Sequence, residues 1–381
     1  MIRFIPRSLY FLLLLTILLC GCRGANSTTA AFDTDVYTPT EARGFSIKKS
    51  GQGESTLLTV SSPWQDAGDA SYQLLVLRDG QSTPDGYDGA VVNGEARRIV
   101  AMSSTQVAML EALGVADRLV GVSGIDFITT PSVRDRRDSI ADVGYDTNID
   151  YERLLMARPD LVLLYGVNGS NAMEPKLREM GIPYIYIGEY VEQSPLGKAE
   201  WLVALGELTG RRDKAIELYR SVSERYNAIK AKAAGLPRPR VMINAPYGDS
   251  WLMPSPDNYA ARLIRDAGGQ YVLADRKGSN ATFPIDMEEA YLLASDADVW
   301  LNTGNASTRE EFAAEVPRFV DTKPFVSGRL YNNTARRTPG GGNDFYETAV
   351  VEPDVLLADL VSILHPDVLP DHRLKYYVEI K

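Results

Sequence analysis

Residues 211–234, RRDKAIELYRSVSERYNAIKAKAA, contain neither glycine nor proline. Their larger apolar residues, Ile216, Leu218, Tyr219, Val222, Tyr226 and Ile229, fall mostly three or four apart, which is the period of an amphipathic helix. Thr209-Gly210 breaks the pattern before it and Gly235-Leu236-Pro237 stops it. At 1.5 Å per residue such a helix spans roughly 35 Å, about one small domain's diameter. Alternating strand and helix signals lie on both sides. The segment 209–236 is therefore expected to be a rigid spine joining two lobes, 44–208 and 237–381. The competing reading is a long surface helix within one larger domain.

The chain of 381 residues is long enough for two cores. Its N-terminus differs from the rest: Arg3 and Arg7 precede an almost unbroken apolar run from Leu9 to Leu19. That run has the size of a secretory h-region and is short for a membrane span. Leu19-Cys20-Gly21-Cys22 follows and resembles a bacterial lipobox, so residues 1–21 are expected to be a lipoprotein signal and Cys22 the lipidated mature N-terminus. An ordinary signal peptide cleaved nearby is the alternative. Cys20 leaves with the signal, which removes any disulfide framework, zinc-thiolate site or cysteine nucleophile. The net charge of −10 becomes −12 once Arg3 and Arg7 are gone. This argues against a nucleic-acid role, which normally needs a basic face.

Residues 22–43 are small and polar and read as a tether. Strand signals at 45–47, 55–60 and 73–78 suggest a small β elaboration, and the Gly- and Asp-rich 79–96 reads as loop. From Arg97 the pattern is α/β. Strands are expected at 98–102, 119–122, 161–165 and 184–187, with helices at 106–113, 151–157, 174–180 and 198–208 between and after them. It restarts after the spine, with strands at 240–244, 299–303 and 329–331 and helices at 258–267, 287–294 and 353–364. Strands separated by helices imply mainly parallel sheets flanked by helices in both lobes. Residues 297–304 echo 159–166: helix, Asp, apolar strand, then Gly at the same offset.

In open α/β sheets ligands sit beyond the carboxyl ends of the strands. The loops there offer Tyr165 and Asn168 in the first lobe, and Tyr247, Trp251, Asn302, Arg336 and Arg337 in the second. Aromatic faces, amides and adjacent cations suit a sizeable planar or polyoxygenated ligand with anionic oxygens. Each has a plainer reading, as lobe packing for the aromatics and as solvated charge for the arginines. Enzymatic signals are poor. The two histidines, His365 and His372, sit together near the C-terminus and cannot form a three-histidine zinc site. No G-x-S-x-G, GxGxxG or Walker loop occurs, and Gly340-Gly341-Gly342 reads as a flexible turn.

These stretches carry a family resemblance. RIVAMSST…LEALGVADRLVGVS, LLMARPDLVLLYG, LREMGIPYIYI, the spine after LTG, and SDADVWLNTG occur in the order seen in substrate-binding proteins of ABC importers for ferric siderophores, haem and cobalamin. The C-terminal GGGNDFYETAVVEPDVLLADLVSILHPDVLPDH resembles a lipoprotein branch of that class found in Bacteroidetes. The resemblance implies a non-catalytic bilobed protein with one connecting helix. It would hold a metal chelate or corrinoid between the lobes and deliver it to a permease and its ATPase. No cofactor or protein metal ligand is expected, and the protein is expected to act as a monomer, touching the membrane only through its lipid anchor. Haem-binding members often use an axial Tyr or His, a role open here to Tyr165 or Tyr247. Family members also present one Glu per lobe to permease arginines. Here Ala108 occupies the first-lobe place, with Glu111 one turn later, while Glu288 or Glu289 fits the second. Two alternatives remain: a two-lobed α/β hydrolase, and a ligand-relay lipoprotein that does not dock on a permease.

Overall fold

The computed structural model describes residue 29 and residues 31–381, save 52, 79, 146, 147, 247, 249 and 278–281. Cys22, the signal segment and Tyr247 lie outside the described residues.

The spine is the helix Arg212–Ala233. Gly210 and Gly235, both in the left-handed region, end the helical path at either side. Its buried residues are Ala215, Tyr219, Val222, Tyr226 and Ala233. Ala215 and Tyr219 belong to the first-lobe core, whereas Tyr226 and Ala233 belong to the second. One apolar stripe therefore enters two cores in succession, and this is how a single helix joins the lobes.

Strands β1 (Phe32–Tyr37), β2 (Phe45–Ser50), β3 (Thr56–Ser61), β4 (Ser71–Leu77) and β5 (Ala90–Asn93) form an N-terminal sheet in that order. It is antiparallel except for the parallel β4–β5 pair. The elaboration is larger than expected. β1 lies inside the stretch read as tether, and β5 inside the stretch read as loop. Residues 40–44 are also fixed. The fully buried Glu200 accepts from the Thr40, Glu41 and Ala42 N–H groups and the Tyr37 hydroxyl. Glu192 accepts from the Arg43 and Gly44 N–H groups and the Trp201 indole. Two buried carboxylates satisfied by backbone donors replace the freedom that small polar residues suggested.

The first lobe continues with β6 (Ile99–Ala101), β7 (Leu119–Val122), β8 (Ala141–Asp142), β9 (Leu161–Leu164) and β10 (Tyr184–Tyr186). They form an all-parallel sheet ordered β10-β9-β6-β7-β8. The helix Ser104–Ala112 follows β6 through a capping box of Ser103 and Gln106. In the second lobe β11 (Arg240–Ile243), β12 (Trp251–Pro254), β13 (Gln270–Tyr271), β14 (Thr282–Ile285), β15 (Val299–Leu301), β16 (Leu330–Asn332) and β17 (Val378–Glu379) follow. The main sheet runs β13-β11-β15-β16-β17, parallel but for β17, and β12 pairs with β14 as a separate antiparallel ribbon. The echoed units coincide with β9 and β15. Asp160 accepts N–H bonds from Arg97 and Arg98 at the start of β6, and Asp298 accepts one from Arg240 at the start of β11. In each lobe the echo strand pairs with the lobe's first strand, and its Asp caps that strand's entry. No helix of the described residues is long and apolar enough to cross a membrane.

Candidate functional site

A cleft opens where the carboxyl ends of both sheets face each other. Its outer cavity measures about 750 Å³ and its inner cavity about 470 Å³. Tyr190, Tyr259, Phe345 and Tyr346 line both and form an aromatic partition between them. Tyr190 and Tyr346 are about half exposed. Tyr190 follows β10 in a 3-10 turn, Tyr259 opens the helix Tyr259–Asp266, and Tyr346 belongs to the strap that crosses from the second lobe to the first. Burial pushes the Tyr259 phenol up to about 12, so it stays a neutral donor.

Two asparagines end central strands of the second lobe and line the outer cavity. Asn244 follows β11 and Asn302 follows β15, both in the left-handed region that Asn tolerates. The Tyr377 hydroxyl donates to the Asn302 side-chain oxygen at 3.1 Å. Tyr377 is itself placed by Asp359, whose buried carboxylate accepts from the N–H groups of Lys375, Tyr376 and Tyr377 and bonds His372. The third wall comes from the N-terminal sheet. Arg43 and the β3–β4 loop through Trp64 face the outer cavity, with Trp64 packed on Tyr72 and Tyr186 at ring distances of 6.0 and 5.3 Å.

The strap runs from Thr338 to Glu352. Glu347, fully buried, accepts from the Thr129 N–H at 2.6 Å and the Thr130 N–H at 2.8 Å, and Asp344 accepts from the Thr129 hydroxyl at 3.0 Å. Val350 packs into the first-lobe core. Gly340 and Gly342 are no loose turn. An added Cβ would meet the Asp126 oxygen at 2.5 Å and the Phe127 oxygen at 2.3 Å, so only glycine lets the two backbones touch.

Not every candidate residue meets in this cleft. Tyr165 lines the inner cavity and Asn302 the outer one. Asn168 is exposed and lines neither, although its neighbour Val167 lines the inner cavity. Arg337 faces a smaller side pocket of about 280 Å³ with Phe127 and Tyr346. Two expectations are corrected. Trp251 is fully buried in the second-lobe core, 5.4 Å from Trp300 and 5.2 Å from Phe319, and cannot face a ligand. Arg336 lines neither cavity, and its Nε donates to Asp344 of the strap at 2.5 Å. Of the acids expected at the permease, Glu111 is exposed and accepts from Ser132 at 2.7 Å, Glu289 pairs with Arg276 at 2.6 Å, and Glu288 is exposed. Ala108 is buried, so its position has no room for a surface acid. Trp64, Tyr190, Tyr259 and Tyr346 escaped the sequence because each lies on a loop or helix start with no periodic signal.

A family model described as periplasmic binding protein matches residues 99–331. The chain belongs to that family. The matched span runs from β6 to β16 and leaves the N-terminal sheet outside. An uncharacterized lipoprotein of Methanocaldococcus jannaschii is 25% identical over 304 residues, covering 76% of this chain and 71% of the relative. An uncharacterized ABC transporter substrate-binding lipoprotein of Bacillus subtilis is 26% identical over 144 residues, 37% of this chain and 43% of that one. Among solved structures, a periplasmic binding protein of Veillonella parvula superposes with a TM-score of 0.60 at 16% identity, covering 82% of this chain and 99% of its own. A periplasmic haem-binding protein of Pseudomonas aeruginosa gives 0.55 at 19%, over 71% of this chain and 93% of its own. An ABC-type Fe3+-hydroxamate transport protein of Saccharomonospora viridis gives 0.55 at 19%, over 72% and 95%. The protein is thus a substrate-binding protein of an ABC transporter rather than an enzyme.

Proposed function

We propose that this periplasmic binding protein captures an iron chelate, either a ferric siderophore or haem, or cobalamin, and hands it to the permease and ATPase of an importer. The observation that carries the reading is the aromatic-walled cleft between the lobes, whose two cavities of about 750 and 470 Å³ suit a ligand far larger than a bare ion. The haem-binding and hydroxamate-transport neighbours share this fold. Tyr165, Asn302 and Arg337 would contact the ligand or the rim it passes. The protein would act as a monomer in the periplasm, held to the membrane by acyl chains on Cys22.

The test is calorimetric titration of the purified chain with cyanocobalamin, haemin and a panel of ferric siderophores. Saturable binding of one of them at micromolar or tighter affinity supports the reading, and no binding to any overturns it. Docking would use Glu288 or Glu289 on the second lobe and Glu111 on the first. The buried Ala108 and the Ser132-bound Glu111 favour a second reading, in which ligand is relayed without permease docking. Charge reversal at all three glutamates separates the two: lost uptake at unchanged affinity supports docking, and unchanged uptake supports relay.

A further inference from the structure

The inner cavity is lined by two ionisable side chains, Glu189 and Lys198. Glu189 is 3% exposed and sits in the 3-10 turn after β10. Its Oε1 accepts from the Thr105 hydroxyl at 2.5 Å, while Oε2 is buried with no hydrogen-bond partner among the described residues. A buried carboxylate oxygen without a donor is costly, and Glu189 lines the cavity, so a ligand donor that reached this oxygen would relieve that cost. Lys198 projects from the helix Pro195–Leu208, whose other residues are all buried. Its Nζ donates to the backbone oxygen of Glu189 at 3.0 Å and stands 4.8 Å from the centre of the Tyr259 ring. An ammonium has three protons, so donors remain for a ligand. Around these groups the wall is apolar, with Met102, Val350 and Leu356.

We propose that Glu189 and Lys198 form a subsite for an uncharged amide of the bound ligand, the amide N–H donating to Glu189 Oε2 and the amide oxygen accepting from Lys198. This rests on the reading that a chelate or corrinoid occupies the cleft. The chemistry follows from the pair. A ligand carboxylate placed here meets the Glu189 oxygen without a proton to share, and a ligand ammonium meets Lys198. An amide offers both a donor and an acceptor, side by side in a primary amide and on opposite edges in a trans secondary one, and adds no charge. Burial pushes the Glu189 carboxyl up and the Lys198 ammonium down, each partly countered by the other. A cavity that already strains to hold two charges accepts a neutral dipole more readily than a third.

The test compares cyanocobalamin and ferrioxamine B, which carry amides, with haemin, which carries carboxylates instead. Dissociation constants are measured by calorimetry on the full chain, for the wild type, Glu189→Ala, Glu189→Gln and Lys198→Met, with thermal melts as a folding control. The wild type is expected to bind one amide-bearing chelate at least about tenfold tighter than haemin. Glu189→Ala and Lys198→Met should each weaken that ligand about tenfold, the effect of one charge-assisted hydrogen bond. Glu189→Gln, which keeps an acceptor, should lose less. A wild type that prefers haemin, or folded variants that bind the amide chelate unchanged, would overturn the subsite and leave the chelate reading standing. No binding of any of the three, nor of any other member of the ferric siderophore panel, overturns that reading and the subsite with it.

Discussion

Glu347 of the second lobe inserts its buried carboxylate into the first lobe, where the Thr130 N–H donates to it at 2.8 Å. The Thr130 hydroxyl and the Thr129 N–H complete the contact. The strap therefore joins the lobes in addition to the helix Arg212–Ala233. Replacing Glu347 by Ala leaves the Thr129 and Thr130 donors without their buried acceptor, at a cost of about 1–3 kcal/mol. The expected outcome is a lower melting temperature and faster ligand release. Stopped-flow dissociation and a thermal melt check it.

The same strap makes Gly342 sensitive to a single methyl group. A Cβ there lies 2.3 Å from the Phe127 oxygen, so Gly342→Ala must push the strap off the first lobe. A loss of about 1–3 kcal/mol is expected, the usual cost of overpacking. Gly235, beside which nothing lies within 4 Å, is the control for local packing, although its left-handed backbone carries its own cost. Denaturant melts of both variants decide the matter.

Of the four tryptophans, Trp64 alone lines the cleft, because Trp201, Trp251 and Trp300 are fully buried. Ligand quenching of intrinsic fluorescence should fall sharply in Trp64→Phe and persist in Trp251→Phe. Trp251→Ala should cost about 3–5 kcal/mol of stability through the cavity it leaves, with affinity unchanged for the protein that remains folded. Titration and melting curves on the same samples separate the two roles.

Glu207 predicts an acid limit to stability. Burial alone would raise its carboxyl, but the Thr56 hydroxyl and the Arg78 and Arg212 guanidiniums outweigh this and hold it below the ordinary glutamate value. A group whose folded pKa is depressed contributes fully above its unfolded value, and that contribution is lost as pH falls through the folded value. Stability should therefore drop on acidification below about pH 4, the ordinary glutamate range. Glu207→Gln should cost about 1–3 kcal/mol at neutral pH, the order expected for losing charge-assisted hydrogen bonds to partly exposed arginines, and should flatten that acid limb. Urea melts across the pH range check both.

Much of the fold was legible because it is written in local period. The apolar stripe of residues 212–233, the capping Ser103 and the helix Pro353–Leu364 need only neighbours in sequence. The echo of 159–166 in 297–304 was legible too, and Asp160 and Asp298 show why: each caps the entry of its lobe's first strand. The binding cleft was less so. Asn302 and Tyr165 were found by their place after strands, yet the same rule put Trp251 at the ligand. It failed there because Trp251 begins a ribbon strand whose inward face meets Trp300 and Phe319, residues distant in sequence. Arg336 was misplaced for a related reason, since Asp344 eight residues on bends the strap back to meet it.

By itself the sequence determined the elements, their alternation, the spine and, through ordered motifs, the kind of protein this is. Those properties arise from hydrogen bonding and apolar period within about twenty residues of chain. Only the tertiary structure decided that residues 40–44 are anchored by Glu200 and Glu192, that the glycines at 340 and 342 seat a strap, and that Glu189 keeps an unpaired oxygen beside Lys198. Each of these depends on which distant segment excludes water from a polar group, and burial of that kind is set by packing between lobes rather than by any neighbour in sequence.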